Sequence, residues 1–297
     1  MALSKQRAEQ LRPILDAFLS SRDWGERIGF DPVEFPRRYK NPRDIEVAGL
    51  IAAGLAYGRA DLFKPKIEGI LSTLGPAPAK RLAKWTVDDA AEALDGFVYR
   101  FNLPADLAVL LLGIGGVLRT QGSLEQLFLN GLQARDGDWH GALAHFTQGV
   151  RAEAPLKHIR AQLGNDRGLA HLLPHPLGAG AAKRLNLYLR WMVRGPDAVD
   201  LGVWKRVQAS RLLIPVDTHI ARISKLLGLT QRNDLSWRTA EEVTASLRLL
   251  DASDPTRYDF ALCHYGMSGV CPVVPVRANC EQCLLRSACK VGRRLGT

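Results

Sequence analysis

The chain has 297 residues, 46% of them apolar, which is enough for one large domain or two smaller ones with packed cores. No apolar run reaches the roughly 18 residues that a membrane-spanning helix requires, so we expect no membrane partner. The net charge is +10, and residues 1–150 carry equal numbers of acidic and basic side chains, so the whole excess lies in residues 151–297. This favours a polyanionic partner, nucleic acid above all, although charge alone also fits an ordinary basic surface.

Helical periodicity dominates the chain from its N-terminus. The first stretch is typical of an amphipathic helix rather than a secretory signal, because Arg12 and Asp16 interrupt its apolar residues. Without such a signal we expect a cytoplasmic protein with reduced cysteines. Alternating β-branched runs are almost absent, so the sequence predicts an all-α fold. Apolar residues recur at three- and four-residue steps in 45–57, 63–74, 105–119, 181–194, 218–227 and 240–250.

The segment 171–194 combines a glycine turn with a basic helix. A helical stretch at 155–163 leads to the turn, which contains Gly178 and Gly180, and Lys183 and Arg184 follow near the start of the next helix. This order predicts a helix–hairpin–helix, in which glycines let backbone N–H groups face a phosphate at a helix N-terminus. By itself the pattern is weak, because many structural turns share it.

Asp217 stands directly before the helical pattern of 218–227, in the sequence V-D-T-H-I. That position is typical of a helix N-cap, and for an isolated aspartate the cap is the commoner role. His219 is likewise more often a packed or surface histidine than a catalytic one. Neither residue identifies a function without its context.

Four of the five cysteines lie close together near the C-terminus, as Cys271, Cys280, Cys283 and Cys289 in the pattern C-x8-C-x2-C-x5-C. Four thiolates in one short segment can hold an iron–sulfur cluster or a metal ion. Zinc is the alternative, but structural zinc sites commonly use two C-x2-C pairs and this segment has one, which favours iron–sulfur. The fifth cysteine, Cys263, lies in an apolar helical stretch, and we expect it to be a buried structural thiol.

The hairpin with its early lysine, V-D-T-H-I and the four-cysteine segment occur in the order found in a known superfamily. Across roughly residues 45–290 the chain resembles the endonuclease III-like branch of the helix–hairpin–helix DNA glycosylases. The segments DPVEFPRRYK, LAYGR, YRF and KRLNLYLRWMVR are most similar to a mainly bacterial offshoot of that superfamily. The resemblance implies that Lys183 is the nucleophile, that Asp217 is the catalytic aspartate, and that the four cysteines bind a [4Fe–4S] cluster. A phosphate contact on a basic helix stays open as the other role of Lys183.

The chain also departs from the usual pattern of that branch. The first cysteine gap is longer than usual, and Lys183 follows Gly180 by one residue more than usual, so that Ala182 occupies the expected lysine position. Lys183 and Asp217 are 34 residues apart, a long gap that is similar to the one in the archaeal 8-oxoguanine glycosylase branch.

The resemblance implies a two-lobed fold and a DNA-repair activity. One lobe would be a helical bundle of residues 45–195, and the other would join 1–44 to 196–297 and carry the cluster, which clamps a basic loop against DNA. We expect a monomeric, nucleoid-associated base-excision glycosylase with AP-lyase activity, acting on double-stranded DNA that contains a damaged base, with oxidised bases among the candidates. A non-catalytic iron–sulfur DNA-binding protein and a zinc-stabilised RNA-binding protein stay open as alternatives.

A base excised by such an enzyme must leave the helical stack, so we expect a pocket with aromatic walls. Tyr57 and Arg59 are the preferred candidates because they end an apolar helix, and Gly178, Gly180 and Arg184 are the predicted phosphate contacts. Further candidates for the pocket, each more often found in a core, are Tyr99, Arg100, Phe101, Tyr188 and Trp191.

Overall fold

The computed structural model describes residues 3–178 and 180–295. Within that part every regular element is a helix, and no strand occurs; Tyr99 and Asn102 form an isolated bridge. The predicted all-α class is therefore confirmed.

The helices follow the predicted periodicity closely, and the helix predicted at 218–227 is present with the same first and last residues. The helices of the first 172 residues are α1 (Lys5–Ser20), α2 (Pro42–Leu55), α3 (Ala60–Leu74), α4 (Pro78–Leu82), α5 (Val87–Ala93), α6 (Pro104–Gln121), α7 (Leu124–Ala134), α8 (Trp139–Ala152), α9 (Leu156–Leu163) and α10 (Leu169–Leu172). The later ones are α11 (Lys183–Val193), α12 (Thr218–Leu227), α13 (Trp237–Arg248), α14 (Asp259–Met267), α15 (Arg277–Glu281) and α16 (Lys290–Arg294). Short 3-10 helices span Trp24–Phe30, Pro32–Glu34, Pro36–Arg38 and Ala209–Arg211.

In the described residues no individual helix has the length and apolar character needed to cross a membrane. The pair α6 and α7, bent by 75°, meets that criterion only when the two helices are taken together, by length and composition.

The chain folds into two compact units, each assembled from segments that are distant in sequence. The bundle unit consists of Ile28–Gly178 and Leu201–Val207, and the cysteine unit consists of Met1–Arg27, Ala179–Asp200 and Gln208–Thr297. Helix α11 thus belongs to the same unit as α12 and the four cysteines, whereas the predicted lobe of residues 45–195 included it. Ala179, the middle residue of the predicted glycine turn, lies outside the described residues.

In the bundle unit, α6 is the central buried helix. Pro104 occupies its first turn, and the Asp106 carboxylate accepts the Leu103 N–H at 2.8 Å, so the first turn is capped. Gly113 permits close packing, because a Cβ there would lie 2.2 Å from the carbonyl oxygen of Val150 on α8. A side chain at this position would force the two helices apart.

In the cysteine unit, the N-terminal helix α1 packs against C-terminal segments. The Leu3 N–H donates to Ser246 Oγ at 3.1 Å, and the Arg7 guanidinium donates to the Ala288 carbonyl at 2.8 Å. These contacts span more than 240 residues of sequence. The first and last segments of the chain therefore form part of the same core.

Candidate functional site

Lys183 and Asp217 form an ion pair in the cysteine unit, with 3.1 Å between Lys183 Nζ and Asp217 Oδ2. Lys183 is the first residue of α11, and Asp217 is the N-cap of α12, where its Oδ1 accepts the Ile220 N–H at 2.8 Å. Ala182, just before the helix, has a left-handed backbone (φ 46°), which is strained for a residue with a side chain. The N-termini of two helices thus bring together two residues that the sequence separates by 34 positions.

The environment of Asp217 keeps its carboxylate ionised. Burial opposes the charge, but the Lys183 ammonium and the Ile220 N–H outweigh burial, with a smaller contribution from His219, so the pKa of Asp217 lies below its ordinary value. The cap role and the ion pair coexist, because each carboxylate oxygen has a different partner. Asp217 can therefore act as a fixed negative charge at neutral pH.

The two side chains differ in their access to solvent. The Lys183 side chain is 36% exposed and that of Asp217 is 17% exposed. An amine on a partly exposed, flexible stem can leave its partner and approach a bound molecule, whereas the capped carboxylate stays in place.

Cys263 also contacts this pair, which the sequence did not predict. Its Sγ lies 3.6 Å from Asp217 Oδ2, and the residue is partly exposed rather than buried. The expectation of a buried structural thiol is therefore wrong. The apolar pattern of α14 gave no signal for the contact, because Asp217 is 46 residues away.

Two turns along α11, Arg190 forms a second set of ion pairs. Its guanidinium contacts Asp259 of α14 and lies 3.1 Å from Asp200, and all three side chains are at most 3% exposed. Burial raises the pKa of Asp259 to about 6, although the neighbouring Arg190 lowers it. Tyr188 and Trp191 of the same helix are fully buried, so they form core rather than pocket walls.

The four C-terminal cysteines line a common cavity of about 80 Å³ in the cysteine unit. All four are free thiols and partly exposed. Two of the sulfurs have polar neighbours: Arg222 donates to Cys271 Sγ at 3.1 Å, and the Tyr265 hydroxyl donates to Cys283 Sγ at 3.1 Å. Hydrogen bonds of this kind stabilise thiolate ligands of metals.

The pKa of Cys280 agrees with the position of the four cysteines around one cavity. Burial raises the pKa of Cys280, and the other three cysteines of the cavity raise it further. The donor set is soft and anionic, so it fits iron–sulfur or zinc chemistry. In the described residues, however, no three His, Cys, Asp or Glu side chains are arranged so that they could hold a metal ion as they stand.

In the bundle unit, Tyr57 belongs to a braced aromatic group. Its hydroxyl donates to Asn102 Oδ1 at 2.5 Å and lies 3.0 Å from the Tyr99 carbonyl oxygen, and His171 packs edge-on against its ring at 4.3 Å. The turn between Tyr99 and Asn102 presents Arg100, with a left-handed backbone (φ 51°), and Phe101, which is 62% exposed.

The remaining predicted contacts are exposed, apart from Arg184. Arg59 is 77% exposed and pairs with Asp61 at 2.8 Å. Gly178 and Gly180 are exposed, and neither has a left-handed backbone; Ala182 has it instead. Arg184 is partly buried beside Lys183 on α11. The two predicted glycines are therefore divided between the two units, with Gly178 in the bundle unit and Gly180 in the cysteine unit.

The fold and site define an all-α protein with a lysine–aspartate pair at two helix N-termini and a cavity lined by four cysteines. The model of one family, described as a protein of unknown function (DUF2400), matches residues 31–268. Because the match covers more than half of the chain, the chain belongs to that family. No curated protein and no solved structure matches the chain.

Proposed function

We propose that the chain is a DNA base-excision glycosylase with AP-lyase activity, of the helix–hairpin–helix type. The observation that carries the proposal is the contact between Lys183 Nζ and Asp217 Oδ2 at 3.1 Å. An amine and a fixed carboxylate at one point are the two groups that a lysine-dependent glycosylase needs. The excess positive charge of residues 151–297 supports DNA as the partner.

In the proposed reaction, Lys183 Nζ forms a bond to the sugar carbon C1′, and the bond from C1′ to the base breaks, with its electron pair leaving on the base. The Lys183 ammonium first gives up one proton, which passes to the departing base, so that Nζ has a lone pair for the attack. A second proton passes to the ring oxygen as the sugar ring opens, and the third stays on the resulting iminium. Water then takes a proton from C2′, a C2′=C3′ double bond forms, and the C3′–O bond breaks, so that the 3′-phosphate leaves and the strand is cut.

Asp217 acts as the electrostatic partner in this step. Positive charge develops on the sugar as the base leaves, and a carboxylate that is already ionised and already oriented stabilises that charge without reorganising. The lowered pKa of Asp217 keeps the carboxylate ionised at neutral pH, so Asp217 is a better charge stabiliser than proton acceptor.

Cys271, Cys280, Cys283 and Cys289 would hold a [4Fe–4S] cluster, which would cross-link their segment and leave the excision chemistry to the lysine and aspartate. Nearby cations, such as Arg277 with a 71% exposed side chain, are placed on the same segment and suit phosphate contacts. The sulfur contacts of Arg222 and Tyr265 support this assignment, and zinc is the alternative occupant.

The direct test of the proposal is borohydride trapping on duplex DNA that carries oxidised, deaminated or alkylated bases. Wild-type protein should form a covalent adduct with at least one lesion, because borohydride reduces the iminium to a stable amine. Lys183→Gln should abolish the adduct, and Asp217→Asn should bind DNA but slow excision by about 100-fold or more. Lys225→Gln, which removes an exposed lysine from α12, is the matched control and should trap like wild type.

Undiminished trapping by Lys183→Gln would refute the assignment of the nucleophile, and a wild-type protein inactive on every lesion would refute the enzymatic proposal. DNA binding without excision would then favour the non-catalytic alternative.

Metal analysis tests the cofactor separately. Purified protein should contain iron and acid-labile sulfide and should show the visible absorbance of iron–sulfur proteins. A colourless protein that contains zinc would contradict the cluster, and stronger binding to RNA than to DNA in competition would then favour the zinc-stabilised RNA-binding alternative.

A further inference from the structure

The thiol of Cys263 contacts the same carboxylate oxygen of Asp217 as Lys183 does. Its Sγ lies 3.6 Å from Asp217 Oδ2 and 3.8 Å from the thioether sulfur of Met267. A thiol has one proton to donate, and an ionised carboxylate is a much stronger acceptor than a thioether. The thiol proton of Cys263 is therefore directed at Asp217.

The packing of α14 fixes the sulfur in this place. Asp259, one turn before Cys263, contacts the buried guanidinium of Arg190. Gly266, three residues after Cys263, lets α14 approach α12 closely, because a Cβ at that position would lie 2.9 Å from the Cβ of His219. Neither anchor involves Lys183, so the position of the sulfur does not depend on where the lysine side chain is.

We infer that Cys263 is a positioning residue for the proposed excision reaction, and that its thiol holds the Asp217 carboxylate in orientation while Lys183 is bonded to the sugar. The inference rests on the proposed function. In the resting ion pair, Oδ2 of Asp217 contacts both Lys183 Nζ and Cys263 Sγ, and Oδ1 accepts the Ile220 N–H. When the amine moves to C1′, the thiol and the Ile220 N–H still hold one oxygen each. The carboxylate then stays aligned with the developing positive charge.

The effect of the Cys263 thiol on the pH–rate profile depends on the charged groups around Asp217. Lys183 and His219 favour the ionised carboxylate of Asp217 and burial opposes it, while Asp217 in turn raises the pKa of Asp259. A neutral S–H donor also favours the ionised form. Loss of the thiol should therefore move the acidic limb of the pH–rate profile to higher pH, which a purely structural role of Cys263 would not do.

The first experiment measures the contact and needs no enzymatic activity. The alkylation rate of Cys263 by iodoacetamide is followed by mass spectrometry of its peptide in wild type, Asp217→Asn and Lys183→Gln. Removal of the neighbouring negative charge should raise the rate several-fold, because the reactive thiolate then forms more readily, and removal of the positive charge should lower it. Equal rates in the three proteins would overturn the inference whether or not the protein excises bases.

The second experiment measures single-turnover excision by Cys263→Ser, which keeps a donor, and Cys263→Val, which has none. Cys263→Val should lower the rate constant by about tenfold with DNA affinity unchanged, and it should shift the acidic limb. Cys263→Ser should stay within a few-fold of wild type and keep the wild-type profile. Equal losses in both variants, or an unshifted limb in Cys263→Val, would overturn the positioning role. A wild type without excision activity would refute the proposed function instead, while the alkylation rates would still decide the contact.

Discussion

Helix α11 carries two sets of ion pairs that are chemically alike and physically different. At its first residue, Lys183 meets Asp217 with 36% of the lysine side chain exposed. Seven residues later, on the same face of the helix, Arg190 meets Asp200 and Asp259 with about 2% of its side chain exposed. Burial, rather than the type of charge, separates a pair that can exchange partners from one that cannot.

The difference between the two sets of ion pairs follows from the cost of separating each cation from its carboxylate partners. A buried guanidinium that left two buried carboxylates would leave them without compensation in a medium that solvates charge poorly. The Lys183 ammonium can instead return to water when it leaves Asp217, and Asp217 keeps the Ile220 N–H as a partner. We therefore expect the Arg190 cluster to stabilise the fold, and the Lys183 pair to be available for chemistry.

The largest effect on stability is expected for Arg190→Met. This change keeps an unbranched apolar stem but leaves the Asp259 and Asp200 carboxylates buried without the guanidinium, although Asp200 keeps Arg194 at 2.8 Å. The free energy of unfolding at pH 7, measured with urea, should fall by about 3–5 kcal/mol. Arg184→Met on the same helix is the matched control and should change it far less. A loss below about 1 kcal/mol for Arg190→Met would contradict the expectation that the buried ion pairs of Arg190 stabilise the fold more than the partly exposed pair of Lys183.

The pH dependence of the free energy of unfolding should separate the buried Arg190 cluster from the Lys183 pair, because Asp259 and Asp217 have pKa values shifted in opposite directions. Asp259 has a pKa of about 6 in the folded protein against an ordinary value of 3.8, so between these values the folded state holds a proton that the unfolded state has lost. The contribution of Asp259 to stability is thus greatest below about pH 4 and falls as the pH rises to about 6.

Asp259→Asn removes this titration, so unfolding free energies of variant and wild type should be compared from pH 4 to pH 7. As the pH rises from 4 to 7, the free energy of unfolding of the variant should increase relative to that of wild type by on the order of 2 kcal/mol. The lowered pKa of Asp217 gives stability that is lost only as the pH falls below its ordinary value of 3.8, so Asp217 adds little pH dependence between pH 4 and pH 7. A difference that does not change with pH would show that burial does not set the ionisation of Asp259.

The smallest effect on stability is expected for Lys183→Gln. A partly exposed ion pair contributes little, so the free energy of unfolding should change by less than about 1 kcal/mol in urea titration. The same substitution should abolish borohydride trapping, as proposed above. A large loss of stability would mean that Lys183 is a structural residue like Arg190.

Much of the secondary structure could be predicted from the sequence, because it depends on local interactions. The helix at 218–227 begins after a capping aspartate and ends at Gly228, whose left-handed backbone (φ 82°) stops it, and both signals lie within a few residues of the helix. The glycine turn was less predictable. The left-handed residue is Ala182, which carries no sequence signal for that conformation.

The amino-acid sequence is enough to predict the all-α class and to show the excess of positive charge after residue 150 and the spacing of the four cysteines, because these depend on composition and on short-range patterns. The sequence also identifies Lys183 and Asp217 as candidate catalytic residues. The folded chain shows in addition that these two residues touch, that Cys263 touches the same carboxylate, and that Arg190 is buried while Lys183 is not. Each of those contacts joins separate segments through the packing of α11, α12 and α14. Such packing depends on the shapes of whole helix faces, which no local pattern in the sequence specifies.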